Sequence, residues 1–327
     1  MTHVKQPARI TARLLRAAGD RIARQNRKNP RFCIINYHRI LAKADPLLTF
    51  DPDVNDFRWQ MELLADCFNV MPLHEALEAL KAGSLPPRVV CITFDDGYQS
   101  FHDLALPILT ELNLHATVFV TSGYLGNGNM WNDRIIQAVQ ALPTGQLDLR
   151  GIGMGVHSLI SLADRRQAID RLTSLSKYVS AEERAMLTEK LENMCGCRAS
   201  HDLMLTPQLV RNLAHEGVDI GGHTVSHPIL SQLDDDAARQ EIEAGKHQLE
   251  AITGKPVRMF AYPNGKVGMD FNERHARMAK EAGYSAAFTT DMGAVTGKQD
   301  FFQLPRSRPW DATPGLFGLR LLHWMAR

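Results

Sequence analysis

The sequence predicts an α/β fold, a distorted (β/α) barrel of the TIM type with about seven parallel strands and one helical insertion. Three observations carry that prediction. Short apolar runs rich in β-branched residues recur along the chain, and helical patterns alternate with them. The runs are also too numerous for a small open sheet. Acidic and imidazole side chains stand directly after two of them, where such barrels collect their reactive groups.

The strand candidates are 32–37, 89–94, 116–120, 218–221, 258–262 and 285–289. Each is a short, mainly apolar run, the pattern of a buried strand. Helical patterns fall at 56–66, 74–81, 101–112, 207–216, 234–252 and 271–282. Residues 131–200 break the rhythm with charged helical stretches and no convincing strand. They read as an insertion between two barrel strands rather than a separate domain. The expected organisation is a basic amphipathic helix at 1–29, the barrel at 30–312 and an amphipathic tail at 313–327.

The 327 residues carry a net charge of +1, with 44% apolar and 22% charged side chains. That balance suits a soluble globule with a real core and provides no field for recruiting nucleic acid. Five cysteines, Cys33, Cys67, Cys91, Cys195 and Cys197, form no framework spacing. A reducing compartment is expected, and with it a cytoplasmic location. The segment 11–24 is rich in arginine, with Ile10, Leu14, Ala18 and Ile22 recurring at i+4. It reads as a helix docked on the barrel, or one drawn to anionic lipid at the inner face of a membrane.

Val89-Val-Cys-Ile-Thr-Phe-Asp95-Asp96-Gly97 places two carboxylates and a glycine after an apolar strand. Adjacent acids repel, so a cation beside one of them eases the arrangement. An Asp-Gly turn capping the next helix is the plainer reading. Ile220-Gly-Gly-His223-Thr-Val-Ser-His227 sets two imidazoles four residues apart after another strand. With one carboxylate they make a two-His, one-Asp set that suits zinc or another divalent transition metal.

Thr93-Phe-Asp-Asp-Gly97 and His223-Thr-Val-Ser-His227 resemble the first two motifs of the polysaccharide deacetylases, carbohydrate esterase family four. Met259-Phe-Ala-Tyr-Pro-Asn-Gly265 resembles the third, and the likeness spans roughly residues 30–310. The resemblance implies that Asp96, His223 and His227 hold one divalent ion, zinc foremost, with cobalt, nickel or iron allowed. It makes Asp95 the catalytic base and sets Tyr262, Pro263 and Asn264 at the substrate, the Asn264 N–H receiving the oxyanion. The expected reaction removes acetyl groups from an N-acetylated glycan, polymeric or lipid-linked.

The chain departs from the common family pattern twice. The late Leu-x-His motif is replaced by Leu304-Pro-Arg306, while Tyr37-His38 ends the first strand. That arrangement resembles the subgroup of poly-N-acetylglucosamine deacetylases, and implies His38 as the general acid. The third motif also carries Ala261 where an arginine commonly orients the base. Arg306 is expected to take its place, with Arg308 as the alternative. Trp59, Trp131 and Trp310 are candidates for stacking on sugar. A hydrolase of non-sugar amides and an inactive glycan-binding barrel are the competing functions.

Overall fold

The computed structural model describes residues 9–126, 128–196, 203–308 and 311–327. They form two compact units. The first takes Met1–Lys43, Asp51–Gly123 and Leu205–Arg327; the second takes Ala44–Phe50 and Tyr124–Met204.

The first unit opens with helix α1 (Arg9–Gln25) and strand β1 (Arg31–Tyr37). There follow α2 (Val54–Cys67), β2 (Asn69–Val70), α3 (Leu73–Lys81) and β3 (Val89–Phe94). Helix α4 (Leu106–Glu111) leads to β4 (Ala116–Val120). The second unit then supplies α5 (Trp131–Ala141), β5 (Gln146–Asp148), β6 (Val156–Ser158), α6 (Leu162–Ser176) and α7 (Ala181–Cys195). The chain re-enters the first unit through α8 (Pro207–His215), β7 (Asp219–Gly222), α9 (Asp235–Thr253) and β8 (Met259–Ala261). It ends with α10 (Glu273–Glu281), β9 (Ala286–Phe288), β10 (Val295–Thr296) and α11 (Pro314–Ala326).

The main sheet runs in the order β10-β1-β3-β4-β7-β8-β9, with β2 beside β3. Every pairing in it is parallel except that of β10 with β1. Residues 304–307 join its two ends. Phe288 bridges Leu304, and Ile35 bridges Ser307, both in parallel sense. The Ser307 amide donates to the Ile34 carbonyl at 2.8 Å, and the Leu304 amide to Ala287 at 3.0 Å. This short closure brings the last strand beside the first. The loops that follow β1, β3 and β7 therefore leave from the same, carboxyl end of the sheet.

The core explains why these runs are strands. Phe32, Ile34, Cys91, Phe119, Met259, Ala261, Phe288 and Leu304 form one buried cluster that continues into Leu73, Ala76 and Leu77 of α3. The helix expected over 101–112 divides. Phe101–Ala105 is a wider π turn before α4, because Pro107 has no N–H with which to continue the regular ladder.

Helix α1 packs against α11 and α2. Its buried positions among 11–25 are Ala12, Leu15 and Gly19, whereas Leu14 is 65% exposed, so the contact stripe lies beside the one read from the sequence. Gly318 admits Leu15 at a distance no Cβ would allow. Within the segment 313–327, Phe317, Leu321, Leu322 and Met325 of α11 are buried.

The second unit has its own apolar cluster, including Ile135, Val139, Leu147, Leu172, Leu187 and Leu191. It begins before residue 131 and draws in residues 44–50. It also contains an antiparallel ladder, β5 on β6. Three-residue strands are too short for their alternation to show in sequence, which is why a strandless insertion was expected there.

Candidate active site

Strand β3 is buried along its whole length and delivers Asp95 and Asp96 to the open end of the barrel. The Asp95 amide donates to the Tyr37 carbonyl at 2.9 Å, extending the β1–β3 ladder by one step. Asp96 then turns into the left-handed region at φ 73°. Aspartate tolerates this conformation better than most residues. The turn gives the two adjacent carboxylates different partners.

Asp95 meets Arg306. The guanidinium donates through Nη1 to Oδ1 at 2.6 Å and through Nη2 to Oδ2 at 2.7 Å. Its Nε donates to the Thr289 carbonyl at 3.2 Å, and its plane lies 5.1 Å over the Phe119 ring. Asn36 adds a bond from Nδ2 to Asp95 Oδ2 at 3.1 Å. Both partners of the ion pair are buried, a geometry worth holding only because the fork is bidentate. Burial pushes the Asp95 carboxyl up, but Arg306, with His223 and His38, holds it below the usual carboxylate range. Asp95 is therefore ionised at neutral pH. Arg308 goes elsewhere, to 4.0 Å from Asp51 and 6.0 Å from the Tyr37 ring.

Asp96 meets the two histidines. His223 Nε2 and His227 Nε2 each stand 3.4 Å from its Oδ1. The preceding Gly221 and Gly222 cannot be larger, because a Cβ would enter the Phe119 ring or the Tyr284 hydroxyl. That close approach seats His223 deep in the mouth, 2% exposed. His223 Nδ1 lies 2.7 Å from the Ala261 carbonyl. Placing the proton on Nδ1 leaves the Nε2 lone pair facing Asp96 and His227.

Could these residues hold a cation? One ligand atom from each of Asp96, His223 and His227 can be chosen so that all lie within 4.8 Å of one another. The Asp96 Oδ1 is buried without a hydrogen bond, an arrangement that costs free energy unless something electropositive sits beside it. Burial pushes Asp96 up, yet the imidazoles overturn this and hold it well below the usual range. Burial lowers His227 to about 4, so it is neutral. An ionised carboxylate and a neutral imidazole are the forms that bind metal. The residues fit a divalent ion.

The other expected residues are placed around this centre. His38 follows Tyr37, which is in register with Phe94, so it leaves β1 level with Asp95. It is half-buried, and near enough for its charge to act on both carboxylates. Asn264 has φ 60°, and its backbone N–H has no acceptor among the described residues. Pro263 is buried beside it. Left-handed Asp96, Thr224, His227 and Asn264 all gather at this mouth, the kind of backbone cost that persists where function holds it.

Two expectations are corrected. The Tyr262 side chain does not reach the substrate side. Its ring stacks on Phe271 at 3.7 Å and its hydroxyl donates to the Phe302 carbonyl at 2.9 Å. Trp59 is also a packing residue, edge-on to Phe317 at 5.5 Å, with Nε1 bonded to Asp56. Trp131 belongs to the second unit, 5.5 Å from the Arg184 guanidinium. Trp310 and Cys197 lie outside the described residues. Asn36 was missed; its signal was a lone amide inside the apolar run 32–37.

A barrel mouth with an arginine-clamped carboxylate beside an Asp–His–His cluster is equipment for hydrolysis. Comparisons with known proteins make this specific. The model of the polysaccharide deacetylase family matches residues 82–287, well over half of the chain. YxkH of Bacillus subtilis is 27% identical over 125 residues, 38% of this chain and 42% of that one. A Staphylococcus epidermidis poly-beta-1,6-N-acetyl-D-glucosamine N-deacetylase is 22% identical over 289 residues, 83% of this chain and 76% of the other. The solved Streptococcus pyogenes deacetylase PplD, in complex with acetate, superposes with a TM-score of 0.59 at 21% identity, over 90% of this chain and 99% of that one. The chain belongs to the polysaccharide deacetylase family.

Proposed function

We propose that the protein removes N-acetyl groups from an N-acetylhexosamine glycan, with Asp95 as base, His38 as acid and Asp96, His223 and His227 as ligands of one divalent ion, zinc foremost. The observation that carries this reading is the division of labour between neighbours. Arg306 occupies both oxygens of Asp95 on one side, while Asp96 turns to the two imidazoles on the other. A divalent cation there would supply Lewis acidity, making water acidic near neutral pH and polarising the acetyl carbonyl.

The chain's own groups do the rest. Asp95, kept ionised and oriented by Arg306, accepts the proton that the attacking water loses as its oxygen bonds the acetyl carbon. The free Asn264 N–H receives the negative charge that develops on the carbonyl oxygen. When the C–N bond breaks, His38 gives the amine its proton. The products are acetate and a free amino sugar.

Replacing Asp95 with Asn keeps size and removes the base. Zinc content should stay at one per chain, while acetate release from N-acetylglucosamine oligomers falls by about a hundredfold or more. Substantial residual release would remove Asp95 from this role. Acetate release from small amides but no sugar would favour the non-sugar reading.

Contact with a membrane is a separate proposal. Leu14 of α1 and Leu316 and Leu319 of α11 are more than half exposed, with exposed Arg13, Arg21 and Arg24 along α1. Exposed leucines interspersed with arginine suit an anionic lipid surface. Replacing all three leucines with Gln should abolish sedimentation with anionic vesicles, and unchanged sedimentation would end the idea.

A further inference from the structure

We infer that Glu241, on α9, is the positioning residue that fixes the His227 loop in its ligand geometry. This rests on the reading of Asp96, His223 and His227 as metal ligands.

The loop from His223 to His227 is unusual in its backbone. Thr224 sits at φ 65° and His227 at φ 55°. A β-branched residue in the left-handed region is strained, and it holds that conformation only where its surroundings over-determine it. The turn also makes the next two N–H groups converge, forming the concavity that usually receives an anion.

Here the anion comes from the chain itself. Glu241 Oε2 accepts from the Val225 and Ser226 amides, both at 2.8 Å, and Oε1 accepts from the Ser226 hydroxyl at 2.6 Å. The carboxylate thus closes on three donors between the two histidines. The neighbouring turn of α9 holds the helix against the same loop. Gly245, four residues on and on the same helix face, approaches so closely that a Cβ would lie 3.0 Å from the Thr224 carbonyl carbon. Inside the loop, the His227 amide donates to Thr224 Oγ1 at 3.1 Å. His227 has no strand beneath it, unlike His223, which follows β7 directly. Its imidazole is placed by this loop, in which the Ser122 and Gly123 amides hold the Thr224 and Val225 carbonyls at 3.2 and 2.9 Å while Glu241 holds the Val225 and Ser226 N–H groups.

Nothing in this role involves the substrate. Glu241 touches neither the ligand atoms nor the base, so it acts through His227. Removing it should free Val225 and Ser226 to relax and let the His227 ring leave its position against Asp96. Residues that orient metal ligands typically account for about ten- to a hundredfold in metal affinity.

The test uses full-length, metal-free protein and zinc alone, titrated in competition with a fluorescent chelator. Glu241→Ala should weaken zinc binding about ten- to a hundredfold. Glu241→Gln should restore most of the loss, because its amide oxygen still accepts both backbone N–H groups and its NH2 can donate to Ser226 Oγ. If Glu241→Ala does not fold, the Gln variant carries the test, and a modest loss of affinity is expected of it. Zinc affinity in both variants indistinguishable from wild type would overturn the role. A wild-type protein that takes up no zinc would overturn the ligand assignment itself, a result distinguishable from equal binding in all three.

Discussion

The guanidinium of Arg306 grips both oxygens of Asp95, at 2.6 and 2.7 Å, although 211 residues separate them along the chain. The contact exists because residues 304–307 close the barrel between β9 and β1. An arginine on the closing strand thus does for Asp95 what an arginine on β8 could have done. Position 261 is alanine, and its carbonyl is used by His223 instead.

Arg306→Lys should therefore be far from conservative. A lysine keeps the charge but loses the planar fork and the stacking over Phe119. Misplacing a catalytic group by about an ångström costs on the order of a hundredfold in rate. We expect kcat to fall on that scale with KM little changed. Arg306→Ala should instead compromise the fold, since it strands a buried carboxylate at a cost of about 3–5 kcal/mol. Steady-state acetate release and chemical denaturation read the two effects separately.

Asn264 offers the opposite case. Its assigned contribution is a backbone N–H in a left-handed conformation, φ 60°. Asn264→Gly retains the N–H and accepts that φ at no steric cost. Activity should stay within a fewfold of wild type. A collapse of activity in the glycine variant would show that the side chain, not the backbone, is what the reaction uses.

The reactive centre was legible where chemistry is written in adjacent residues. Asp95-Asp96-Gly97 and His223-x-x-x-His227 each follow an apolar run, and the structure brings both to one mouth. Arg306 could be named only as one of two arginines, since sequence does not show which side of a closing strand faces inward. Tyr262 misled for a related reason. It stands beside the left-handed turn at Asn264, but its ring stacks on Phe271 instead. Asn36 and Glu241 act through hydrogen bonds to residues far away in sequence, and no local pattern announces them. The β5–β6 ladder was too short to leave a periodic trace.

His275 gives a pH dependence apart from the reaction. It is fully buried in the first turn of α10, where its Nδ1 accepts from the Asn272 amide at 3.0 Å. Burial, with Arg274 beside it, lowers its pKa from 6.5 to about 4. The folded value lies below the unfolded one, so below about 6.5 the unfolded chain binds the extra proton and stability declines. That contribution is complete above this pH and is lost as pH falls towards 4. His275→Gln should flatten the fall in Tm between about pH 7 and pH 5. An identical slope in wild type and variant would contradict this.

The division between base and acid is tested most directly by pairing two substrates with two variants. An N-acetylated glucosamine oligomer needs its leaving amine protonated; an aryl acetate of low leaving-group pKa does not. Asp95→Asn should lose hydrolysis of both. His38→Gln should lose the amide by about a hundredfold or more while keeping most of the aryl ester activity. Equal loss of both substrates in His38→Gln, or retention of the amide, would contradict the assignment of His38 as the acid.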